Sequence, residues 1–147
     1  MSDFVVEFAI ADDDRFRRLA VVFDALRAAK QTDEWHDDEY WLGYFDREAR
    51  AHFWWPTAAE LDDWNRRWFS TPVPDRFTDP TLVTPWGFSS MIDAFRNGDY
   101  DLLACERHAR RAGRLTFEPH AWPYGGCGCM RALIEAFGHV VTDEPDA

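Results

Sequence analysis

Within its first thirty residues the chain changes hydrophobic period from two to about 3.6, and that change confines it to folds combining sheet with helix. Phe4, Val6, Phe8 and Ile10 alternate with Val5, Glu7 and Ala9, the pattern of a strand with one apolar face. Asp12, Asp13 and Asp14 then supply a helix cap and negative charge where a helix N-terminus favours it. Phe16, Leu19, Phe23 and Leu26 follow at helical spacing, and the helix is expected to end near Lys30.

Residues 31–39, rich in Asp, Glu and His, read as an exposed loop. Residues 40–45 are aromatic on both faces, which predicts a buried central strand. A turn at Asp46-Arg47-Glu48 leads into a second strand at 50–55, completing a hairpin that Pro56 stops. Thr57 followed by Glu60 is a capping box, with Leu61, Trp64 and Trp68 on one helix face and Asp62/Arg66 and Asp63/Arg67 pairs on the other. Residues 70–86 carry Pro72, Pro74, Pro80 and Pro85 and form the longest irregular stretch, a linker or a lid. Phe88, Met91, Ile92 and Phe95 mark a further helix that Gly98 closes. Residues 99–107 suit strand or helix; strand is favoured, turning through 110–113 into a strand at 114–118. Met130, Leu133, Ile134 and Phe137 form a last helix, with Gly138 after it and a short strand at Val140 and Val141.

These elements predict an α+β fold: a mixed or antiparallel sheet with flanking helices on one side, in the order βαββα–αββαβ. Each half then holds a helix, a hairpin and a second helix after a proline-bearing turn (Pro56, Pro123), a pattern resembling a diverged internal repeat. Residues 1–142 read as a single domain joined through the proline-rich connection at 70–86, and 143–147 as a frayed acidic tail.

A chain of 147 residues can bury about two thirds of its unfolded surface. With 46% apolar and 16% aromatic residues, disorder is excluded for most of it. The net charge of −11 argues against nucleic acid, whose phosphates need Lys/Arg clusters, and against an anionic membrane surface. It suits a basic partner. No basic segment precedes an apolar run near residue 1, and nothing approaches a spanning length of ~20 apolar residues. Cys105, Cys127 and Cys129, odd in number and clustered late, do not form a secreted disulfide framework. The expected location is the cytoplasm.

Candidate chemistry gathers at Tyr124-Gly125-Gly126-Cys127-Gly128-Cys129, where a glycine-rich loop enters the last helix. The glycines admit close approach of a ligand, and free N–H groups with the helix dipole favour an anion or a thiolate. On that basis the thiol of Cys127 is expected to titrate below the ~8.5 of free cysteine and to react faster than Cys105. Cys127 or Cys129 as nucleophile, His120 as base and Glu118 as orienting carboxylate make a catalytic candidate. Cys127, Cys129 and His120 make a metal candidate, although the CxC spacing is neither a redox signature nor a zinc knuckle. Runs 12–14 and 36–39 offer oxygens to a hard cation but lack the EF-hand spacing and read more simply as a cap and a loop. Trp86 and Trp122, in proline-rich loops, are the aromatic residues hardest to place in a core, and with Tyr124, Gly125, Gly126 and Cys127 they are the ligand-contact candidates.

No catalytic motif is complete and no cofactor is implied. The reading is a small acidic binding protein that engages a protein partner, a basic one on charge grounds, in a role such as immunity protein or antitoxin. The alternative is a thiol- or metal-dependent enzyme working from the 125–129 loop.

Overall fold

The computed structural model describes residues 4–121 and 124–145. Strand β1 (Phe4–Ala9) is followed by helices α1 (Asp13–Thr32), α2 (Asp38–Leu42), α3 (Arg47–Arg50) and α4 (Ala58–Ser70). Two short 3-10 turns, Val73–Asp75 and Pro80–Leu82, lead to α5 (Phe88–Asn97), and β2 (Tyr100–Ala109), β3 (Ala112–Pro119), α6 (Gly128–Ala136) and β4 (Val140–Asp143) complete the order. The four strands form one antiparallel sheet in the order β2-β3-β1-β4. This is an α+β fold.

The alternation in β1 does what it predicts. Val6 and Phe8 are buried, and they stand opposite Leu115 and Gly113 of β3. Tyr100, Leu102 and Phe117 extend the same face. The opposite face is polar: Glu7 lies across from Arg114, which lies across from Glu106, and His108 and Arg114 each approach Glu7 at 3.9 Å. The helices therefore bury their apolar sides against one face only. α1 contributes Leu19, Val22, Phe23 and Leu26, α5 contributes Met91, Ile92 and Phe95, and α6 contributes Met130, Leu133 and Ile134, all in one core cluster. Each such side chain contributes about 1.5–3 kcal/mol relative to exposure.

Three of the four expected helices start on the expected acidic or threonine cap or end on the expected glycine. Asp12 accepts the Arg15 N–H at 2.8 Å, Thr57 and Glu60 form the reciprocal capping box, and Gly98 ends α5. No side chain fits at Gly98, because a Cβ there would sit 2.1 Å from the Tyr100 ring. The stretch expected at 99–107 is strand, as favoured, and runs over Tyr100–Ala109. In the tail, Asp143 closes β4 and Glu144 is tied to Arg131, so 143–144 are not frayed.

The hairpin expected at 40–45 and 50–55 is not formed. The first half runs βαααα rather than βαββα, whereas the second half follows αββαβ as read. Aromatic residues on both faces of 40–45 are spaced for a helix. Trp41 and Phe45 turn inward four residues apart, and Tyr40 and Tyr44 turn outward with their hydroxyls 3.1 Å from each other. Asp37 and Asp46 accept the N–H groups of Tyr40 and Ala49 as N-caps, starting α2 and α3. The Arg50 guanidinium then donates to the carbonyls of Phe45 and Leu42, satisfying acceptors that a sheet partner would otherwise take. Beyond α3, Phe53 drops into the core against Phe45 and Phe88.

Gly113 is where two core strands meet most tightly: a Cβ there would stand 2.5 Å from the Phe8 ring. Gly113→Ala is expected to lower stability by about 1–3 kcal/mol in denaturant unfolding, the usual cost of overpacking. Phe8→Leu in the same chain should recover part of that loss. An unchanged midpoint for Gly113→Ala would refute the contact.

Candidate interaction site

The 124–129 loop is held down rather than presented. Tyr124 is buried, with its ring against Phe4, Phe117 and Tyr100, and its carbonyl accepts the Asp99 N–H at 3.1 Å. Gly125 and Gly126 adopt positive φ (97° and 81°), where other residues are strained, so these glycines serve the turn itself. Trp122 lies outside the described residues. Trp86 does meet the loop, though not around a ligand. Its ring lies over Gly128, 3.0 Å from where a Cβ would project, so the absent side chain is the seat for the indole.

The cysteines are three free thiols. Cys127 is the residue before the first turn of α6, as expected, but its sulfur is buried with the residue 4% exposed. The sulfur lies 3.8 Å from the Glu144 carboxylate. Burial, then the Glu144 charge, push the thiol above its ordinary value, and the helix and Arg131 do not compensate. Arg131 is itself occupied by Glu144 and Glu135. The expected activation of Cys127 is therefore reversed in direction. Cys129 shares a 3.3 Å hydrogen bond with the Tyr100 hydroxyl and is pushed up to about 11 by burial. Cys105 is pushed to about 12 by the same cause.

The catalytic trio is not assembled. His120 is clamped on the surface by two carboxylates, Nδ1 3.1 Å from Asp99 and Nε2 3.1 Å from Asp101. Neither ring nitrogen faces a thiol, and Glu118 pairs across the strands with Asp101 in the β2–β3 register. Among the described residues no three His, Cys, Asp or Glu side chains converge to hold a metal ion. Of the acidic runs, Asp12 and Asp37 cap helices, while Asp13 and Asp14 pair with Arg107 and with Arg17 and Arg18.

The exposed apolar chemistry lies instead on α4 and the segment after it. α4 carries Leu61, Trp64 and Trp68 on one face, as read, yet it buries none of its residues. Only Leu82 of the following turns is buried, and it lies outside the main core cluster. The aromatic rings form a ladder. Trp54 meets Trp64 at 5.8 Å, Trp64 stacks on Trp68 at 5.2 Å, and Trp68 meets Phe77 edge-on at 5.3 Å. Phe77 is 85% exposed, Phe69 73% and Val83 72%. The Arg76 guanidinium lies over both Trp68 and Phe69. The ladder is fastened by polar bonds: Trp64 Nε1–H donates to the Leu82 carbonyl, Arg67 to the Thr81 carbonyl, and the Trp54 N–H to the Trp86 carbonyl. Trp86 thus joins the ladder to the start of α6. Phe69, Phe77 and Val83 had not stood out in the sequence. The signal was available in the proline-rich stretch, which has too few apolar residues in register to cover the stripe on α4.

His139 is a buried polar group outside both places. Its Nδ1 accepts the Ala11 N–H at 3.0 Å, which puts the ring proton on Nε2. Burial between Phe8 and Phe16 lowers its pKa, whereas Asp101 and Asp99 raise that of His120.

Comparison of the chain with known protein families, with curated proteins and with solved structures finds no match. Among the described residues, no helix is long and apolar enough to cross a membrane.

Two measurements follow. Alkylation of Cys127 should show a midpoint above that of free cysteine, and Glu144→Gln should lower it by removing the adjacent charge; a midpoint below ~8.5 in the unsubstituted protein would restore the activated thiolate. The two histidines should tilt stability in opposite senses. For His139 the folded value lies below the ~6.5 of an ordinary imidazole, so its contribution is complete above ~6.5 and is lost as pH falls through the folded value. For His120 the folded value is raised, so its contribution is complete below ~6.5 and is lost as pH rises through the folded value. Unfolding midpoints against pH should flatten on the acid side for His139→Asn and on the neutral side for His120→Asn. An acid limb that His139→Asn leaves unchanged would contradict the buried, neutral imidazole.

Proposed function

We propose that this protein is a non-enzymatic binding protein and that its contact surface for a protein partner is the aromatic ladder on residues 54–86. The observation that carries the reading is α4, a thirteen-residue amphipathic helix with no buried residue, whose ladder of half-buried tryptophans runs out to the exposed Phe77 with Phe69 exposed beside it. Contiguous apolar surface of this kind marks interaction sites in folded proteins, and tryptophan and arginine are the residues that most often anchor them. Burying a Phe side chain such as Phe77 on association gains about 1.5–3 kcal/mol, so a few of these rings suffice for a specific contact. Fastening by side-chain-to-carbonyl bonds holds the rings in place beforehand, which reduces the ordering cost of binding. An immunity- or antitoxin-like role belongs to this class of function.

A photo-crosslinking amino acid at Phe77, expressed in the cell that makes the protein, should yield an adduct of one discrete mass. The same group at Val21, 56% exposed on α1, should not. Phe69→Asp in the Phe77-labelled chain should abolish the adduct. Equal adducts from both positions, or none from Phe77, would overturn the assignment of this surface.

A further inference from the structure

Alongside the ladder runs a groove of about 530 Å³ between α4 and the segment 81–85. Trp54, Trp64 and Val83 contribute to its apolar lining, Glu60 puts a carboxylate on it, and Asp63 and Arg67 line it as an ion pair. The charges around the ladder are not equivalent in what they have left to offer. Two of the three arginines of the 54–86 segment are spent internally, and the third, Arg66, makes only one long contact among the described residues. Arg66 reaches the Asp62 carbonyl at 3.5 Å, Arg67 holds Asp63 and the Thr81 carbonyl, and Arg76 donates to the Thr71 carbonyl while covering Trp68 and Phe69. The carboxylates of Asp62 and Asp75 have no partner among the described residues, and Glu60 uses one oxygen in the capping box. The surface therefore presents indole faces and unspent negative charge, the combination that attracts a cation both through the ring quadrupole and through charge. Arg76 shows the preference within the molecule, since a guanidinium already occupies the two ring faces it can reach.

We infer that the occupant of this groove is a basic segment of a partner protein, carrying Arg or Lys side chains interleaved with apolar ones. The cationic groups seat against Trp54 and Trp64 beside Glu60, on the helix that also carries the unpartnered Asp62, and the apolar ones lie along Phe69 and Phe77. A second copy of the chain is disfavoured because each copy brings a net charge of −11. The inference rests on the ladder being a contact surface and adds the chemistry of what it contacts.

A random peptide library displayed on phage and selected on the whole 147-residue chain tests both, with Phe69→Asp/Phe77→Asp as the ladder control and Glu60→Gln/Asp62→Asn as the charge control. Both controls alter exposed positions, Gln at residue 60 keeps the capping box, and circular dichroism verifies their folding. The expected result is peptides of net positive charge that bind at least tenfold more weakly to Glu60→Gln/Asp62→Asn and lose affinity with rising salt. Neutral or acidic peptides that depend on Phe69 and Phe77 would overturn the basic occupant and leave the ladder standing. Peptides indifferent to Phe69→Asp/Phe77→Asp would overturn the ladder, and the basic occupant with it. A dimer in sedimentation at micromolar concentration, dissociated by Phe69→Asp/Phe77→Asp, would assign the groove to a second copy instead.

Discussion

Strand β1 is paired on both edges by segments from the last third of the chain, β3 on one side and β4 on the other, and the remaining packing is organised from it. Its inward residues Val6 and Phe8 meet Leu115 and Gly113, and the chain leaving it through Ala11 bonds the buried ring of His139. α1 therefore starts from a point already tied to the segment between α6 and β4. Arg15, one turn into α1, donates to the Phe137 carbonyl at 3.3 Å and pairs with Asp46, the cap of α3. One strand and the first turn of one helix thus set where α3, α6 and β4 lie. Apart from Arg15–Asp46, these contacts span more than a hundred residues of sequence, so the loop-closure cost is borne before most of the core is gained.

A one-sided sheet also explains which parts of the fold were legible. β1, β3 and the helices that cover them alternate or repeat over enough residues for the period to declare itself, and their ends carry Asp12, Gly98 and Gly138. α2 and α3 are five and four residues long, too short for a helical period to show. In that window Tyr40, Trp41, Tyr44 and Phe45 satisfy a two-sided strand as well as a helix. The choice was made by Asp37 and Asp46, which can cap helices but have no use at strand starts, and by Arg50, which collects the carbonyls at the end. Short elements are specified by their caps more than by their apolar pattern.

At the candidate site the residue types were readable and their facing was not. The glycines, the position of Cys127 before α6, and Trp86 as a residue outside the core are all as the chain implies. Whether the Cys127 sulfur meets water decides between two opposed effects of similar size, the helix N-terminus lowering its pKa and burial raising it. That facing depends on Glu144 returning from β4 to close over the sulfur, a contact made seventeen residues later. For α4 the stripe of Leu61, Trp64 and Trp68 was visible, but its burial depended on whether another element covers it. The chain between α4 and α5 supplies two short 3-10 turns, and only Leu82 reaches inward.

An exposed aromatic surface is a hazard for a free protein, because identical patches on two copies attract each other. Here the attraction is opposed by the net charge of −11, which each copy carries to every encounter with another. Cationic residues near the ladder reduce that repulsion least where they are already committed, as Arg67 is to Asp63 and Thr81 and Arg76 to Thr71 and the rings. The sign of the charge therefore does two jobs through one mechanism. It opposes association of the apolar surface with its own kind, and for the basic partner proposed above it lowers the electrostatic cost of approach. Acidity and aromatic exposure, which look unrelated as features of composition, are on this argument two halves of one solution to keeping a sticky surface selective.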